Sequence, residues 1–439
     1  MLDQSNLKSL FALPFDDSSR DYSYLLKNIG DAHLVLIGEA THGTHEFYKI
    51  RSQLTKQLIE EKGFHAIAIE GDWPDVYNLN KYAKNFSKSI DEYNAIKSFE
   101  RFPSWMWCND DMLEFVKWLR TYNDFLATNQ VKIGIYGLDL YSLHTSMDFV
   151  IHSLAKRDPQ AAERARIRYE CLQKYRQDPI NYAYAIEKGI ASGCEEEVYD
   201  QLTELLELYS NALSQYEADQ EDLLSTLQNA RVVVNAEAYY RALLKGPEVT
   251  WNLRDNHMMA TLEDIRTYYY QLLGSLPKII IWAHNSHVGD ARATSLTKRG
   301  EINIGQLARE RYGNDCYLIG FSTYQGEVTA ASTWGGVTER KKVRPALEGS
   351  YEYLFHHLKI PDFLLLLGEE RSLTGPYLQR AIGVIYHPET ERMSHYYYAS
   401  LSQQFNAIIH IDTTSAVRPF HKSHVWEKGE FPETFPTGL

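Results

Sequence analysis

No stretch of this 439-residue chain is apolar for long enough to span a bilayer, which takes about 18 or more consecutive apolar residues. Met1 to Arg20 carries polar and acidic side chains and lacks the apolar centre of a secretory signal. Cysteine is scarce. Cys108, Cys171, Cys194 and Cys316 stand far apart, with no metal-type pair among them. A chain of this size can build its core without disulfides, so four reduced thiols in a cytoplasm are expected. A basic excess is missing too: the formal net charge is −13. That speaks against a nucleic-acid partner, because phosphate contacts need a basic surface. These absences point to a cytoplasmic protein with no membrane partner.

Several catalytic signatures are also absent. No G-x-S-x-G elbow occurs, which excludes the usual serine nucleophile of α/β hydrolases. H-E-x-x-H, the Walker A loop and a complete G-x-G-x-x-G are missing as well. Gly38 to Gly43 has glycines, but the residues between them are wrong for a phosphate cradle. Among hydrolases, this leaves attack by water without a covalent intermediate. The bulk composition, 44% hydrophobic and 23% charged, is ordinary for a globular protein and argues against disorder.

What stands out is Leu34-Val-Leu-Ile-Gly-Glu-Ala-Thr-His-Gly-Thr-His45-Glu46. Four apolar residues stop at a glycine, and a carboxylate and two histidines follow. The run has the length of a strand buried on both faces. Phe47, Ile50, Leu54 and Leu58 then share one helical face. Glu39, Thr41, His42 and His45 thus occupy a strand-to-helix turn, which in α/β folds faces the ligand crevice.

Similar apolar runs recur at His65–Glu70, Val131–Gly137, Lys278–Ala283, Cys316–Phe321, Phe363–Leu367, Ala381–Ile385 and Ala407–Ile411. Most end in a polar, ionisable or glycine residue. A mainly parallel sheet would gather those ends along one edge, bringing Glu39, His42, Glu70, Asp72, Asp139 and His284 together. From Ser142 to Leu273 the pattern is helical, as in Leu202, Leu205 and Leu206, with charged residues on the other faces. The expected fold is α/β: a mainly parallel central sheet flanked by helices, with a helical insertion subdomain. Residues 1–157 and 274–439 would form the two parts of the core, and 158–273 the insertion.

Four groups can carry chemistry. Glu39 and His42 have the make-up of a general base and its orienting carboxylate. Capping of the next helix by Thr41 or Thr44 explains the threonines, but not the histidines. His284-Asn-Ser-His287 directly follows a strand and can stabilise an oxyanion, protonate a leaving oxygen or ligate a metal. Glu70-Gly-Asp72-Trp-Pro-Asp75 places carboxylates at another strand end, and Arg51, in the first helix, is expected to pair with Glu70. Arg101-Phe-Pro-Ser-Trp105-Met-Trp107 is dense enough in aromatics to line a pocket, as is Tyr396-Tyr-Tyr398.

At these residues the sequence resembles the erythromycin esterase family. Gly38-Glu39-Ala-Thr-His42 is similar to that family's G-E-x-x-H turn. Trp282-Ala-His284-Asn-Ser-His287 is similar to its H-N-x-H element, and Arg51 and Glu70 fall at matching positions. Arg101–Trp107 and Tyr386–Arg392 resemble further blocks. The resemblance implies a hydrolase in which His42 activates water and Glu39, His284 and His287 are its essential partners. It also implies a deep cleft at the strand ends and, from the family's named substrate, a macrolide lactone ester. Gly43-Thr44-His45 departs from some macrolide-hydrolysing members, so the catalytic residues transfer better than the substrate.

The expectation is therefore a cytoplasmic hydrolase of a small-molecule ester or lactone, of the kind found in antibiotic resistance. His42 would be the base and Glu39 its orienting partner. His284 and His287 would stabilise the oxyanion and protonate the leaving oxygen, with Arg51 and Glu70 holding the site together. His45, Asp72 and Trp105 would contact substrate. No cofactor is expected. A metal-dependent hydrolase using the same Glu/His cluster, with a divalent metal, is one alternative. A non-catalytic haem or small-molecule binding protein is another.

Overall fold

In a computed structural model, residues 12–14, 22–86, 90–212, 220–367, 373 and 375–429 are described. Gly368 and Glu369, which follow the apolar run Phe363–Leu367, lie outside them. The strands are β1 (Ala12–Pro14), β2 (Leu34–Ile37), β3 (Ala66–Asp72), β4 (Gly134–Asp139), β5 (Ile279–Trp282) and β6 (Cys316–Ala330). They continue with β7 (Glu339–Val343), β8 (Asp362–Leu366), β9 (Tyr377–Arg380), β10 (Tyr396–Ala399) and β11 (Ala407–Thr414). Nine of them form one sheet in the order β1-β8-β11-β6-β2-β5-β3-β4, with β7 paired to β6. From β11 to β4 all pairings along that order are parallel. The other pairings of this sheet, β1–β8, β8–β11 and β6–β7, are antiparallel, and β9 and β10 form a separate antiparallel pair. The central sheet is therefore mainly parallel and flanked by helices, as the apolar runs suggest.

Alternation along the strands explains the two layers. Val35, Ile37, Ile67, Ile69 and Ile280 face one core, shared with Phe47, Ile50 and Leu54 of the helix His45–Lys62. Leu34, Leu36, Ala68, Ile279 and Ile281 face the other, packed on Met258, Leu262 and Ile265 of the helix Pro247–Leu273. A strand buried on both faces must be apolar throughout, and β2 is buried at all four positions.

Between β4 and β5 the described residues are helical and contain no strand. Met147, Tyr169, Leu172, Leu202 and Val233 form a separate core there. Lys84 ties this layer to the sheet. Its ammonium donates to Glu221 Oε2 at 2.8 Å and to the Tyr136 hydroxyl at 3.0 Å, all of them buried. No helix among the described residues is long and apolar enough to cross a membrane.

Two expectations are corrected. Ala381–Ile385 is not a strand. Its Ile382 N–H reaches the Ala40 carbonyl at 2.9 Å, and the segment makes isolated bridges at Ile382 and Ile385. It crosses the ends of the sheet instead of lengthening a ladder. Nor are all four thiols free. Cys171 and Cys194 form a disulfide with Cα atoms 6.1 Å apart, while Cys108 and Cys316 are free and buried. Packing of the helical layer brings together two cysteines whose spacing carries no signal.

Candidate active site

The sheet order sets the site. With β2, β5, β3 and β4 adjacent and parallel, Ile37, Trp282 and Ile69 lie side by side. The residues that follow them come out along one edge: His42 after β2, His284 after β5, Glu70 in β3 and Asp139 ending β4. The edge borders a cavity of about 460 Å³ lined by all four, together with Asp72, Asp75, Arg101, Trp107, Trp251, Arg254 and His287. That is the size range of small-molecule sites.

The turn after β2 is tightly held. A side chain at Gly38 would run into the Asn285 side chain, and one at Gly43 into the backbone of Thr329. Thr44 is the N-cap of the following helix by position, but its side chain makes no capping bond; its hydroxyl meets that of Thr41. So neither threonine caps the helix.

His42 Nδ1 lies 2.8 Å from Glu39 Oε1. Glu39 is ion-paired through its other oxygen to Arg51 Nη2 at 2.6 Å. Bonded to a carboxylate, His42 Nδ1 carries the hydrogen, which leaves the Nε2 lone pair free. Arg51 is wholly buried, with its guanidinium 4.4 Å from the centre of the Tyr48 ring and 5.1 Å from that of Trp282. The expected Arg51–Glu70 pair is thus not formed, because the helix carrying Arg51 packs beneath its own strand end, against Glu39.

Glu70 is served by Arg254. Nη2 of Arg254 donates to Glu70 Oε1 at 2.7 Å and to Asp139 Oδ2 at 2.6 Å, and Nε donates to Asp139 Oδ1 at 2.9 Å. The other Glu70 oxygen accepts the backbone N–H of His284 at 2.8 Å. Burial opposes the charge on Glu70, but His287, Arg254 and His42 hold its carboxyl well below the usual range. Asp139 is likewise lowered: burial opposes its charge and Arg254 outweighs it. Oε1 of Glu70 is 4.0 Å from His42 Nε2 and 3.4 Å from His287 Nε2.

The later histidines differ from each other. His284 Nδ1 meets the Ser286 hydroxyl at 2.8 Å and accepts the Ser286 N–H at 3.2 Å; as the acceptor of both it leaves the ring proton on Nε2. That Nε2 is buried and makes no hydrogen bond to a side chain among the described residues, while the Ala40 carbonyl beside the ring favours its charged form. Burial, with His42 and His287 nearby, pushes the His284 ring down to about 3, so it is neutral at ordinary pH. The ring centre is 4.8 Å from that of His42. His287 has both nitrogens engaged: Nδ1 lies 2.9 Å from Asp255, and Nε2 lies 3.0 Å from Arg254 Nη1. Burial lowers its pKa, but Asp255 and Glu70 outweigh burial and Arg254, and the net shift is upward.

The structure therefore brings Glu39, His42, Arg51, Glu70, His284 and His287 together, and Asp72 lines the same cavity. His45 and Trp105 do not line it. His45 starts the first long helix and pairs with Asp111 at 2.8 Å, and Trp105 is buried in the aromatic core. Trp107, two residues further on, takes the wall position and donates its indole N–H to the Glu70 carbonyl at 2.9 Å. Of the tyrosine triplet, Tyr397 reaches the cavity. Among the described residues no three His, Cys, Asp or Glu side chains form a metal-holding group. Arg254, on Glu70 and Asp139, and Arg101, on Asp72 at 2.7 Å, supply positive charge among these carboxylates.

Sequence reasoning did not single out Trp251, Arg254 and Asp255, which lie in the segment assigned to the helical insertion. A signal was present: Trp251-Asn-Leu-Arg254-Asp255-Asn-His257 is too polar and aromatic for a plain amphipathic turn.

The model of the family described as erythromycin esterase matches residues 59–414. The chain belongs to the erythromycin esterase family. The matched span includes Glu70, Arg254, His284 and His287, and begins after Glu39, His42 and Arg51. A Bacillus subtilis (strain 168) protein named as a hydrolase, YbfO, is 22% identical over 79% of this chain and 78% of its own. Erythromycin esterase type II of Escherichia coli is 22% identical over 77% of this chain and 81% of its own. Among solved structures, a Bacillus cereus protein superposes with a TM-score of 0.73 at 20% identity, covering 95% of this chain and 98% of that one. A mutant erythromycin esterase in its open conformation gives 0.64 at 16% identity, over 94% of this chain and 98% of that one. These structures share the fold. The family and relative names indicate a hydrolase.

Proposed function

We propose that this family member hydrolyses an ester or lactone of a small molecule by direct attack of water, with His42 as general base. The observation that carries this reading is the Arg51–Glu39–His42 chain, which turns His42 Nε2 toward the cavity with the neutral His284 ring 4.8 Å away, centre to centre. Water held at His42 loses its proton to Nε2 as its oxygen bonds the carbonyl carbon. Glu39 steadies the imidazolium that forms. The developing oxyanion takes the His284 N–H, a donor fixed in place before reaction.

When the bond to the leaving oxygen breaks, His42 returns the proton, giving an acid and an alcohol. We assign that proton to His42 and not to the later pair, because His284 is neutral and both His287 nitrogens are occupied. Asp72, Trp107 and Tyr397 hold the rest of the substrate. The reading needs no metal, so chelation should leave turnover unchanged.

A panel of esters and lactones, macrolides included because of the Escherichia coli relative's name, tests the reading on wild type and His42→Ala. A general base contributes about 10²- to 10⁴-fold, and the variant should lose that much on any accepted substrate. Near-normal turnover by His42→Ala removes the assignment. A cytoplasmic location is a separate part of the proposal; fractionation of the producing cells with immunodetection of the protein tests it, and recovery outside the cytoplasm removes it.

A further inference from the structure

One face of the helix Pro247–Leu273 closes around a single imidazole. Trp251 stacks on the His287 ring, with centres 4.4 Å apart and planes within 6°. Arg254, three residues on, meets His287 Nε2 at 3.0 Å. Asp255, the next residue, meets Nδ1 with both oxygens, at 3.0 and 2.9 Å. Residues spaced by three and four share a helical face, so one rigid element fixes the plane and both edges of the ring.

Asp255 is fully buried, and its Oδ1 also accepts the Ile304 N–H at 2.9 Å. The Trp251 N–H is anchored to the Ile302 carbonyl at 2.8 Å. The gripping residues are themselves gripped. The arrangement repeats the Glu39–His42 pair: in each, a buried carboxylate holds Nδ1 and turns Nε2 toward Glu70 Oε1.

We propose that Asp255 is a positioning residue of this site. By holding Nδ1–H it fixes the tautomer and orientation of His287 and keeps that ring's Nε2 edge on Glu70, beside the oxyanion position. The inference rests on the hydrolase reading above. The charged and titratable groups around His287 are Asp255 and Arg254 from the long helix, Glu70 from β3, and His284 on its own segment. Of these, Asp255 alone contacts Nδ1. Without its charge, the ring gives up its proton more readily and can turn over to the other tautomer.

The test is Asp255→Asn, whose side-chain oxygen can still accept the Ile304 N–H and so keep the fold. On an accepted ester, kcat should fall by about 10- to 100-fold, less than the about 10⁴-fold loss when the base histidine itself loses its orienting carboxylate, while KM stays within about threefold. Independently of turnover, nitrogen NMR of ring-labelled protein should show His287 titrating at lower pH in Asp255→Asn than in wild type. A folded variant whose His287 titrates as in wild type overturns the proposal, as does a kcat equal to that of wild type. If wild type hydrolyses no ester, the function reading fails. The NMR comparison still decides whether Asp255 governs His287.

Discussion

Arg254 Nη2 stands 2.7 Å from Glu70 Oε1, across 184 positions of sequence. The same guanidinium holds Asp139 through two further bonds, at 2.6 and 2.9 Å. One cation from the helical layer thus neutralises two carboxylates from neighbouring strand ends, and the shape of the catalytic edge depends on it. Arg51, the arginine expected there, is committed to Glu39.

Arg254→Met should therefore destabilise the protein by about 3–5 kcal/mol, the usual cost of leaving buried charges unpaired. Arg254→Lys keeps the charge but not the planar fork, and one ammonium cannot reproduce three directed bonds. Urea denaturation of both variants, with turnover of Arg254→Lys, checks this. Stability equal to wild type in Arg254→Met would show that the carboxylates do not depend on it.

Glu39→Gln should do two separable kinds of damage. Loss of the carboxylate that orients His42 should lower kcat by about 10³- to 10⁴-fold, on the precedent of catalytic triads. Arg51, wholly buried, would also lose its counter-charge, so the denaturation midpoint should fall with kcat. A variant with normal stability and normal kcat would contradict both roles.

Asp75 lines the cavity, and its carboxyl is pushed up to about 8, by burial first and then by the neighbouring charge of Asp72. A raised carboxyl pKa means that the folded chain binds this proton more tightly than the unfolded one. Its contribution to stability is therefore largest at low pH and falls as pH rises from the ordinary carboxylate range through about 8. Asp75→Asn cannot ionise and escapes that loss. Relative to wild type, its melting temperature should rise by about 1–3 °C on going from pH 5 to pH 9. A difference that does not change with pH would show that Asp75 titrates normally.

His284 gives the opposite sign, because its pKa falls to about 3. The unfolded chain takes up this proton first, so the contribution of His284 is complete above the ordinary histidine value and is lost as pH falls toward 3. Replacement by glutamine should flatten the acid side of the stability profile between about pH 6.5 and pH 3, measurable by melting in a buffer series. An unchanged profile would contradict a neutral His284.

Lys84→Met should cost about 3–5 kcal/mol, because it leaves Glu221 buried without its cation. The buried Lys84–Glu221 pair joins the helical layer to the sheet at 2.8 Å. Chemical denaturation would register the loss. A neutral substitution would mean that the layers are held by apolar packing alone.

The strand ends were legible because a parallel sheet buried on both faces demands near-continuous apolar runs. Such runs single out the polar residues that stop them, here Glu39, His42, Glu70, Asp139 and His284. The helix Pro247–Leu273 was not legible in this way. Its hydrophobic pattern reports which face packs, and says nothing about Trp251, Arg254 and Asp255 reaching over a strand edge. Trp105 and Trp107 show a similar limit. Both are aromatic and both belong to one short turn, and only the path of the chain decides which faces the cavity.

Amino-acid order alone determined the two-sided burial of the strands, the place of the ionisable residues just beyond them, and the tie to a family of hydrolases. Tertiary structure decided the partners: Arg51 with Glu39, Arg254 with Glu70 and Asp139, Asp255 with His287, Cys171 with Cys194. The division has a physical cause. Burial is a property of each residue and repeats with the local period of helix or strand, so it is written along the chain. Charge pairing depends on distances between groups far apart in sequence, and packing fixes those only when the whole chain has folded.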